Sequence, residues 1–327
     1  MQPWALCILV ALSTPATSVS SHAKVSDDAQ ASLLALQRDD QRVADTAWRI
    51  AARNAKSCTK IWAALGVSLQ HVSQYSPAYR AAAQAAFGLD DSYPSILAVA
   101  KSSPASASGL QPNDTLRAVN GVDLIGKSRG QTSAASYDAV SAAMAALEAL
   151  PEQQAAVLLI ERGGQKFDVS VTPQNVCRSR VELAPGNAIN ANANGLVAQI
   201  SGRLVNWVQS DDELALVIAH EIAHNLLDHP KRLSEKSALS GLATSLGLSG
   251  KAQRQMELEA DRMGIIMAAG AGYNYKIAPD FWARLNSNAP LAAFLATTHP
   301  TTRARRENAQ WVVDEINSRG SQTQKDE

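Results

Sequence analysis

Two histidines four residues apart, with a glutamate directly after the first, lie within the mostly apolar stretch ELALVIAHEIAHNLLDH at 213–229. On an α-helix, His220 and His224 share one face, about 40° apart around the axis, so both imidazoles can reach one cation. Glu221 lies about 100° round, at the edge of that face, where it can act as a general base toward a water molecule at the metal. This His-Glu-x-x-His spacing is typical of zinc peptidases.

The alternative is that these histidines are core residues satisfied by hydrogen bonds, because a buried polar group is costly unless it is paired. A five-residue motif arises by chance, and a catalytic zinc also needs a third protein ligand. The metzincin spacing would place that ligand six residues beyond His224, where Pro230 stands, so this spacing is excluded. His229 falls about 140° from the ligand face, and we expect it at the surface or behind the ligands.

A carboxylate pair further along the chain supplies the missing ligand. The segment KAQRQMELEADRMGIIMAAGAG at 251–272 has apolar residues at helical spacing and ends in glycines, which predicts a helix. Glu257 and Asp261 share one face of it, so we expect Glu257 as the third metal ligand and Asp261 as the carboxylate that orients a ligand histidine. The alternative is a solvated acidic face that includes Glu259. Two imidazoles and one carboxylate favour zinc, with one ion per chain.

The N-terminal residues predict an export signal. An apolar core from Trp4 to Leu12 is followed by small and polar residues, with a candidate cleavage site after Ala23. This segment carries no Lys or Arg, and the alternative is a buried N-terminal segment. We expect a periplasmic or secreted protein whose mature chain has no transmembrane segment, because no other apolar run is long enough to cross a bilayer.

Composition and cysteine content limit the possible partners, the number of domains and the disulfides of the protein. The 327 residues include 30 basic and 30 acidic side chains without a sustained basic run, so no nucleic-acid partner is expected. An apolar fraction of 46 % is enough to build two domain cores. Removal of the signal would leave Cys58 and Cys177, which can form a single disulfide in an oxidising compartment, although the sequence does not decide whether they do.

The elements that must position these residues follow two patterns. Residues 27–57 have apolar positions at helical spacing with interleaved charges, which predicts an amphipathic helix that packs on its own chain or, alternatively, binds a partner. From about 90 to 173, short apolar runs alternate with Pro, Gly and Asn-Gly, as in strands joined by tight turns. Within it, 136–150 predicts a helix and 157–171 a hairpin that turns at Gly163-Gly164.

Four short motifs recur in this middle segment in a familiar order: Ser103-Pro104-Ala105, Gly109-Leu110, Asn113-Asp114-Thr115-Leu116 and Val119-Asn120-Gly121. Through them the segment resembles a bacterial PDZ domain. The resemblance implies a domain that binds extended peptides by adding a strand to a sheet edge, with Phe87-Gly88-Leu89 as the candidate carboxylate-binding loop. A PDZ unit can equally be a packing module, and the sequence leaves both roles open.

Five motifs of the C-terminal segment stand in the order of one known family: Asn190–Asn192, Asp211–Ala215, His220–His224, Glu257–Gly264 and Thr298–Arg305. Through them the segment resembles the gluzincin metallopeptidases of the HtpX, BepA and CAAX-prenyl protease type. The resemblance implies an α+β fold, in which a mostly helical zincin-type domain with a small sheet follows the PDZ-like β-rich domain. The membrane branches of the family carry transmembrane helices, which are not expected in this chain, so the soluble periplasmic branch is the better comparison.

Further site residues enter through this resemblance. It implies that His299 approaches the metal and either gates activity or stabilises the transition-state oxyanion. It also implies Arg305 as a structural partner behind the ligands, with Arg303 and Arg306 as near-equal candidates. The stretch GLVAQISGRL at 195–204 is either the edge strand along which substrate pairs or an ordinary covered strand.

We therefore expect a zinc endopeptidase that acts on protein or peptide substrates, misfolded or envelope proteins among them, with the PDZ domain recruiting or regulating substrate. The alternative is a periplasmic PDZ adaptor or chaperone with a latent or inactive metallopeptidase domain. A linker is expected at 173–195, and 230–250 is either a lid or a connecting helix. The expected domains are a signal peptide at 1–23, an N-terminal helical region at 24–85, the PDZ-like domain at 86–174, the metallopeptidase domain at 175–318 and a disordered tail at 319–327.

Overall fold

A long N-terminal helix, a β-rich part and a mainly helical part follow one another along the chain. The computed structural model describes residues 18–126, 133–184, 186, 188–239, 248–287 and 302–323. The arrangement is α+β, as the sequence predicts, with the β-rich part before the helical part. None of the helices in these ranges is long and apolar enough to span a bilayer.

Helix α1 (Ser18–Arg53) connects the two parts. On the β-rich side, the Gln41 side-chain amide donates to the carbonyl of Val99 at 2.7 Å and accepts its backbone N–H at 3.3 Å. On the helical side, Arg42 pairs with Asp211 at 2.7 Å. The predicted amphipathic helix is therefore present and packs on its own chain.

The β-rich part is built on one sheet with a helix packed against it. Its described strands follow the order β2-β3-β4-β6-β7, with β5 paired to β4. Val140 of the helix α4 is buried with Leu116 and Ile160 of the sheet. The predicted hairpin is confirmed between β6 and β7, where Gly163 and Gly164 adopt φ of +58° and +77°. The elements are β1 (Ile61–Ala64), β2 (Val67–Gln70), α2 (Pro77–Phe87), β3 (Ser95–Val99), α3 (Pro104–Ala107), β4 (Thr115–Val119), β5 (Val122–Asp123), α4 (Asp138–Glu148), β6 (Ala156–Arg162) and β7 (Gln165–Val171).

One expectation about the start of this part was wrong. The sheet already includes β2, which lies inside the segment 24–85 that was expected to be helical, because a four-residue strand is too short to show an alternating pattern. Phe87-Gly88-Leu89, the candidate carboxylate-binding loop, lies at the end of helix α2, where Gly88 caps the helix with a φ of +65° and both flanking side chains are buried.

The helical part surrounds a small sheet. Its described strands follow the order β10-β11-β9, with β10 antiparallel and β9 parallel to β11. Strand β8 pairs with β1 instead, and Cys58 and Cys177 form a disulfide with a Cα–Cα distance of 5.5 Å. The elements are β8 (Gln174–Cys177), β9 (Arg180–Ala184), β10 (Ala191–Ala193), β11 (Val197–Ser201), α5 (Gly202–Trp207), α6 (Asp211–Leu226), α7 (His229–Leu239), α8 (Leu248–Gly270), α9 (Ala278–Ser287) and α10 (Thr302–Thr323).

The segments around the small sheet also differ from expectation. The stretch 173–195 is not a linker, since it contains β8, β9 and β10, whose pairing partners lie elsewhere in the chain. The stretch 195–204 does not form an edge strand, because β11 is the central strand of its sheet. Helix α10 continues to Thr323, past position 318 where the domain was expected to end.

Several expectations fall partly outside the described residues. Residues 1–17 of the expected signal peptide are among these, and α1 begins within that segment at Ser18. In the segment 230–250, α7 extends to Leu239 and α8 begins at Leu248, while 240–247 lie outside the described ranges.

Candidate metal centre

Helix α6 carries the histidine pair and begins after the N-cap residue Ser210. The hydroxyl of Ser210 accepts the backbone N–H of Glu213 at 3.2 Å, which satisfies one free donor of the first turn. The Glu213 carboxylate accepts the backbone N–H of Gln209 at 2.6 Å and an N–H of the Arg284 guanidinium at 2.5 Å. Glu213 therefore joins α6 to α9.

Helix α8 crosses α6 at a glycine. A Cβ atom built on Gly264 would lie 2.8 Å from the backbone nitrogen of His220 and 3.1 Å from the carbonyl carbon of Ala219. Only glycine therefore permits this approach of the two backbones. Glu257 and Asp261 lie about two turns and one turn before that crossing, so the close contact sets them against the histidine face.

Three candidate ligand atoms converge between these helices. Nε2 of His220 and Nε2 of His224 are 3.0 Å apart, and oxygens of Glu257 lie 3.4 and 3.5 Å from them. A tetrahedral zinc with Zn–N bonds of 2.0–2.1 Å separates its ligand atoms by about 3.3–3.4 Å. The donor set and its spacing therefore fit one zinc ion.

A buried ion pair lies behind the first ligand. Oδ1 of Asp261 is 2.9 Å from Nδ1 of His220, and both carboxylate oxygens of Asp261 accept N–H groups of Arg305, at 2.8 and 2.5 Å. Burial would raise the pKa of Asp261, but the Arg305 charge outweighs it and holds the pKa below its usual value. The carboxylate is therefore ionised and directed at the imidazole.

The structure distinguishes the three arginines that the sequence left equal. Arg305 is 1 % exposed, and its guanidinium stacks 3.9 Å from the ring centroid of Trp282, which also lies against His220. Arg303 and Arg306 are exposed on α10 and pair with acidic residues at the surface. Arg305 alone of the three reaches the site.

Glu221 is buried at the same place. It is 7 % exposed, and burial raises its pKa to about 7, against the lowering effect of the His220 and Arg305 charges. A carboxylate with a pKa near neutral can both accept and release a proton.

The metal-free site holds one proton on its histidine pair at neutral pH. Burial would lower the pKa of His220, but Asp261 and Glu257 outweigh it and raise the pKa to about 10. Burial and the charge of His220 lower the pKa of His224 to about 3. A metal ion must displace the proton of His220 to bind there.

His229 is a neighbour of the site whose contacts the sequence did not reveal. It is 3 % exposed, with Nδ1 3.0 Å from Nδ1 of His224 and Nε2 3.2 Å from a carboxylate oxygen of Glu259. Glu259 also accepts a hydrogen bond from Arg232 at 2.9 Å. The only sequence signal was the placement of His229 behind the ligands or at the surface. His299 lies outside the described residues.

Comparison with known families agrees with this geometry. Residues 178–246 and 233–312 match the model of Peptidase family M48. The chain contains a peptidase family M48 domain. That domain includes the histidine pair, Glu257 and Asp261 of α8, and Arg305.

Three curated relatives are each similar to about a third of the chain. Mitochondrial metalloendopeptidase OMA1 of Arabidopsis thaliana is 30 % identical over 120 residues, which is 31 % of this chain and 24 % of that protein. Its counterpart from Schizosaccharomyces pombe is 29 % identical over 128 residues, 32 % of this chain and 38 % of that protein. A putative beta-barrel assembly-enhancing protease of Vibrio cholerae is 35 % identical over 127 residues, 30 % of this chain and 26 % of that protein. The chain thus spans about a quarter to two fifths of the relatives it matches.

Solved structures with PDZ domains are similar to the β-rich part at a low level. An HtrA-type protease AlgW with a decapeptide is 19 % identical, covers 35 % of this chain and 29 % of its own, and has a TM-score of 0.25. The HtrA3 PDZ domain bound to a phage-derived ligand is 19 % identical, covers 36 % of this chain and 90 % of its own, and has a TM-score of 0.27.

Proposed function

We propose that this protein is a zinc-dependent endopeptidase. The observation that carries the proposal is the convergence of two imidazole nitrogens and one carboxylate oxygen within 4.8 Å of one another, with the buried Glu221 next to one of the ligands. A zinc site that only stabilises a fold has no use for an adjacent general base, whereas hydrolysis needs one. The M48 domain and the metalloendopeptidases among the relatives support the same reaction.

Each residue of the proposed site has a separate role. His220, His224 and Glu257 would hold the zinc ion, which would lower the pKa of a water molecule and polarise the scissile carbonyl. Glu221 takes the proton of the attacking water and passes it to the leaving amine. Asp261, ionised by its contact with Arg305, keeps the ring of His220 in orientation.

His299 is a candidate for a further functional residue of the site. Its two proposed roles, a gate over the site or a stabiliser of the oxyanion, have opposite consequences. A His299→Ala variant should cleave faster if the residue is a gate and should stop cleaving if it stabilises the oxyanion. An unchanged rate would remove both roles.

The substrate is an extended protein or peptide chain. The edge strand β10 lies against α6, and its Asn192 is exposed. Pairing with a strand edge recognises backbone groups and places little demand on the sequence of the substrate. Strand β10 therefore takes the substrate-pairing role that the sequence had offered to 195–204.

The β-rich part is a PDZ-like module that recruits peptide segments or regulates the peptidase. Its edge strand β2 and helix α4 line a cavity of about 820 Å³, with Leu69 and Leu147 among the apolar side chains. A peptide that added a strand to β2 would occupy this cavity. Helix α1 and strand β9 line the same cavity, so a peptide there would contact the element that joins both parts.

We place the protein in the periplasm or outside the cell. The disulfide between Cys58 and Cys177 supports an oxidising compartment, since such bonds are rare in reducing ones. This compartment also fits a role in the turnover of misfolded or envelope proteins.

The first experiment is digestion of an unstructured protein by the purified chain. Wild type and Glu221→Gln are compared with and without a metal chelator, and zinc content is measured for both. Glu235→Gln, an exposed glutamate on α7, is the matched control.

Cleavage by wild type and Glu235→Gln that the chelator abolishes, with zinc-loaded but inactive Glu221→Gln, supports the peptidase and assigns its base. Cleavage that survives Glu221→Gln would contradict the proposal. Loss of cleavage in every variant would favour the PDZ adaptor, in which the peptidase domain is latent.

A further inference from the structure

We infer that His229 is a positioning residue for the metal ligand His224, and that Glu259 and Arg232 hold it in that role. The inference rests on the proposed zinc centre and assigns to this chain a second hydrogen-bonded support behind its ligands. The four side chains form a continuous series from the ligand to the surface: His224, His229, Glu259 and Arg232.

The distances assign a single direction to each hydrogen bond. A histidine that offers Nε2 to a cation keeps its proton on Nδ1. Nδ1–H of His224 then donates to Nδ1 of His229 at 3.0 Å, which must be unprotonated to accept. The proton of His229 is therefore on Nε2, which donates to the Glu259 carboxylate at 3.2 Å.

The opposite tautomers conflict with the same distances. A proton on Nδ1 of His229 would point at the proton on Nδ1 of His224 across 3.0 Å. It would also leave Nε2 of His229 without a proton, facing the oxygen of Glu259. Glu259 thus selects the tautomer of His229, and His229 selects the tautomer of His224 that leaves Nε2 free for the metal.

The two ligand histidines have analogous supports. His220 contacts Asp261 directly, and Arg305 holds that carboxylate. His224 reaches its carboxylate through one interposed imidazole, and an arginine again holds the carboxylate at the far end. Each support ends in a carboxylate–arginine pair, although the second pair is partly exposed.

Contacts of other residues stabilise the turn that contains His229. The imidazole of His229 is therefore not needed to hold that turn. Asp228, with a φ of +57°, pairs with Lys60 at 2.6 Å, and its carbonyl accepts the backbone N–H of Arg232 at 2.9 Å. These contacts hold the start of α7. The imidazole of His229 is directed instead at the ligand.

Zinc affinity tests the inference, because it reports on the ligand directly and does not depend on cleavage. Affinity is measured by competition with a chromophoric chelator, and the visible absorption of the cobalt-substituted site reports its coordination. We expect His229→Ala to weaken zinc binding about 10–100-fold, as the loss of such a support usually does. His229→Asn returns an acceptor oxygen near the position of Nδ1 and should recover part of the affinity.

His71→Ala is the matched control. His71 is a fully buried histidine whose Nδ1 accepts the backbone N–H of Ser73 in the β-rich part. The His71→Ala substitution should lower the thermal stability of the metal-free protein and leave zinc affinity unchanged.

The outcomes separate the inference from the proposed function. Zinc binding by His229→Ala within twofold of wild type would overturn the inference and leave the zinc centre intact. Equal weakening in His229→Ala and His229→Asn, with equal losses of metal-free stability, would also overturn it, since that pattern marks a packing role. Failure of the wild type to bind zinc would overturn the zinc centre, and the inference with it.

Discussion

Gly264 of α8 packs directly on the backbone of His220, so closely that a Cβ atom at residue 264 would lie 2.8 Å from the His220 nitrogen. This contact fixes the separation of the two helices that supply all three candidate zinc ligands. A change of one methyl group at Gly264 therefore acts on the metal site without touching a ligand side chain.

We predict that Gly264→Ala pushes α8 away from α6. Overpacking of this kind costs about 1–3 kcal/mol of unfolding free energy, and the shift of Glu257 should weaken zinc binding as well. Urea unfolding of the metal-free protein and chelator competition measure the two effects. Gly202→Ala is the control, because its Cβ would meet only Leu36, at 3.8 Å. Equal stability of both variants would disprove the tight crossing.

A second prediction concerns the buried pair of Asp261 and Arg305. Arg305→Met removes the arginine partner of a fully buried carboxylate, and breaking a buried ion pair in this way costs about 3–5 kcal/mol. Urea unfolding of the metal-free protein at pH 7 gives the loss. Arg303→Met, at an exposed position of the same helix, should leave the free energy of unfolding nearly unchanged. Similar values for the two variants would show that Arg305 does not support the site.

The third prediction is that zinc binding releases a proton and strengthens with pH. His220, whose pKa is raised to about 10, is protonated in the metal-free site, whereas His224, whose pKa is lowered to about 3, is not. A zinc ligand must be unprotonated, so affinity should rise about tenfold per pH unit until the pH approaches the pKa of His220.

Calorimetry at pH 8.5, in two buffers with different ionisation enthalpies, counts the released protons. Glu221, with a pKa of about 7, is already ionised at that pH and adds little to the count. About one proton per zinc is expected. A count near zero would mean that His220 is neutral before zinc binds.

The helix faces that carry the candidate ligands were predictable because they depend on local periodicity. His220 and His224, like Glu257 and Asp261, are four residues apart, and any α-helix places such pairs on one face. The hairpin at Gly163-Gly164 was predictable for a similar reason, since a two-residue turn is a local feature.

The features that the sequence did not predict depend on contacts between residues remote in sequence or on the position of helix ends. The strands of 173–195 pair with β1 and β11, and no local sequence pattern indicates those pairing partners. His229 lies behind the ligands, as one of its two expected positions, but its contact with His224 was not predictable, because α6 stops at Leu226 and Asp228 turns the chain with a φ of +57°. That turn brings His229 back against His224, which a regular helix would not allow.

The sequence by itself determined which residue types the candidate site contains: the candidate ligands, the proposed base between them and the helix faces on which they lie. Only the tertiary structure decided which of three arginines reaches Asp261 and which histidine contacts His224. The reason is physical. Side-chain direction along one helix follows from its fixed rotation per residue, whereas the approach of two helices depends on close packing between residues far apart in the chain, here at Gly264.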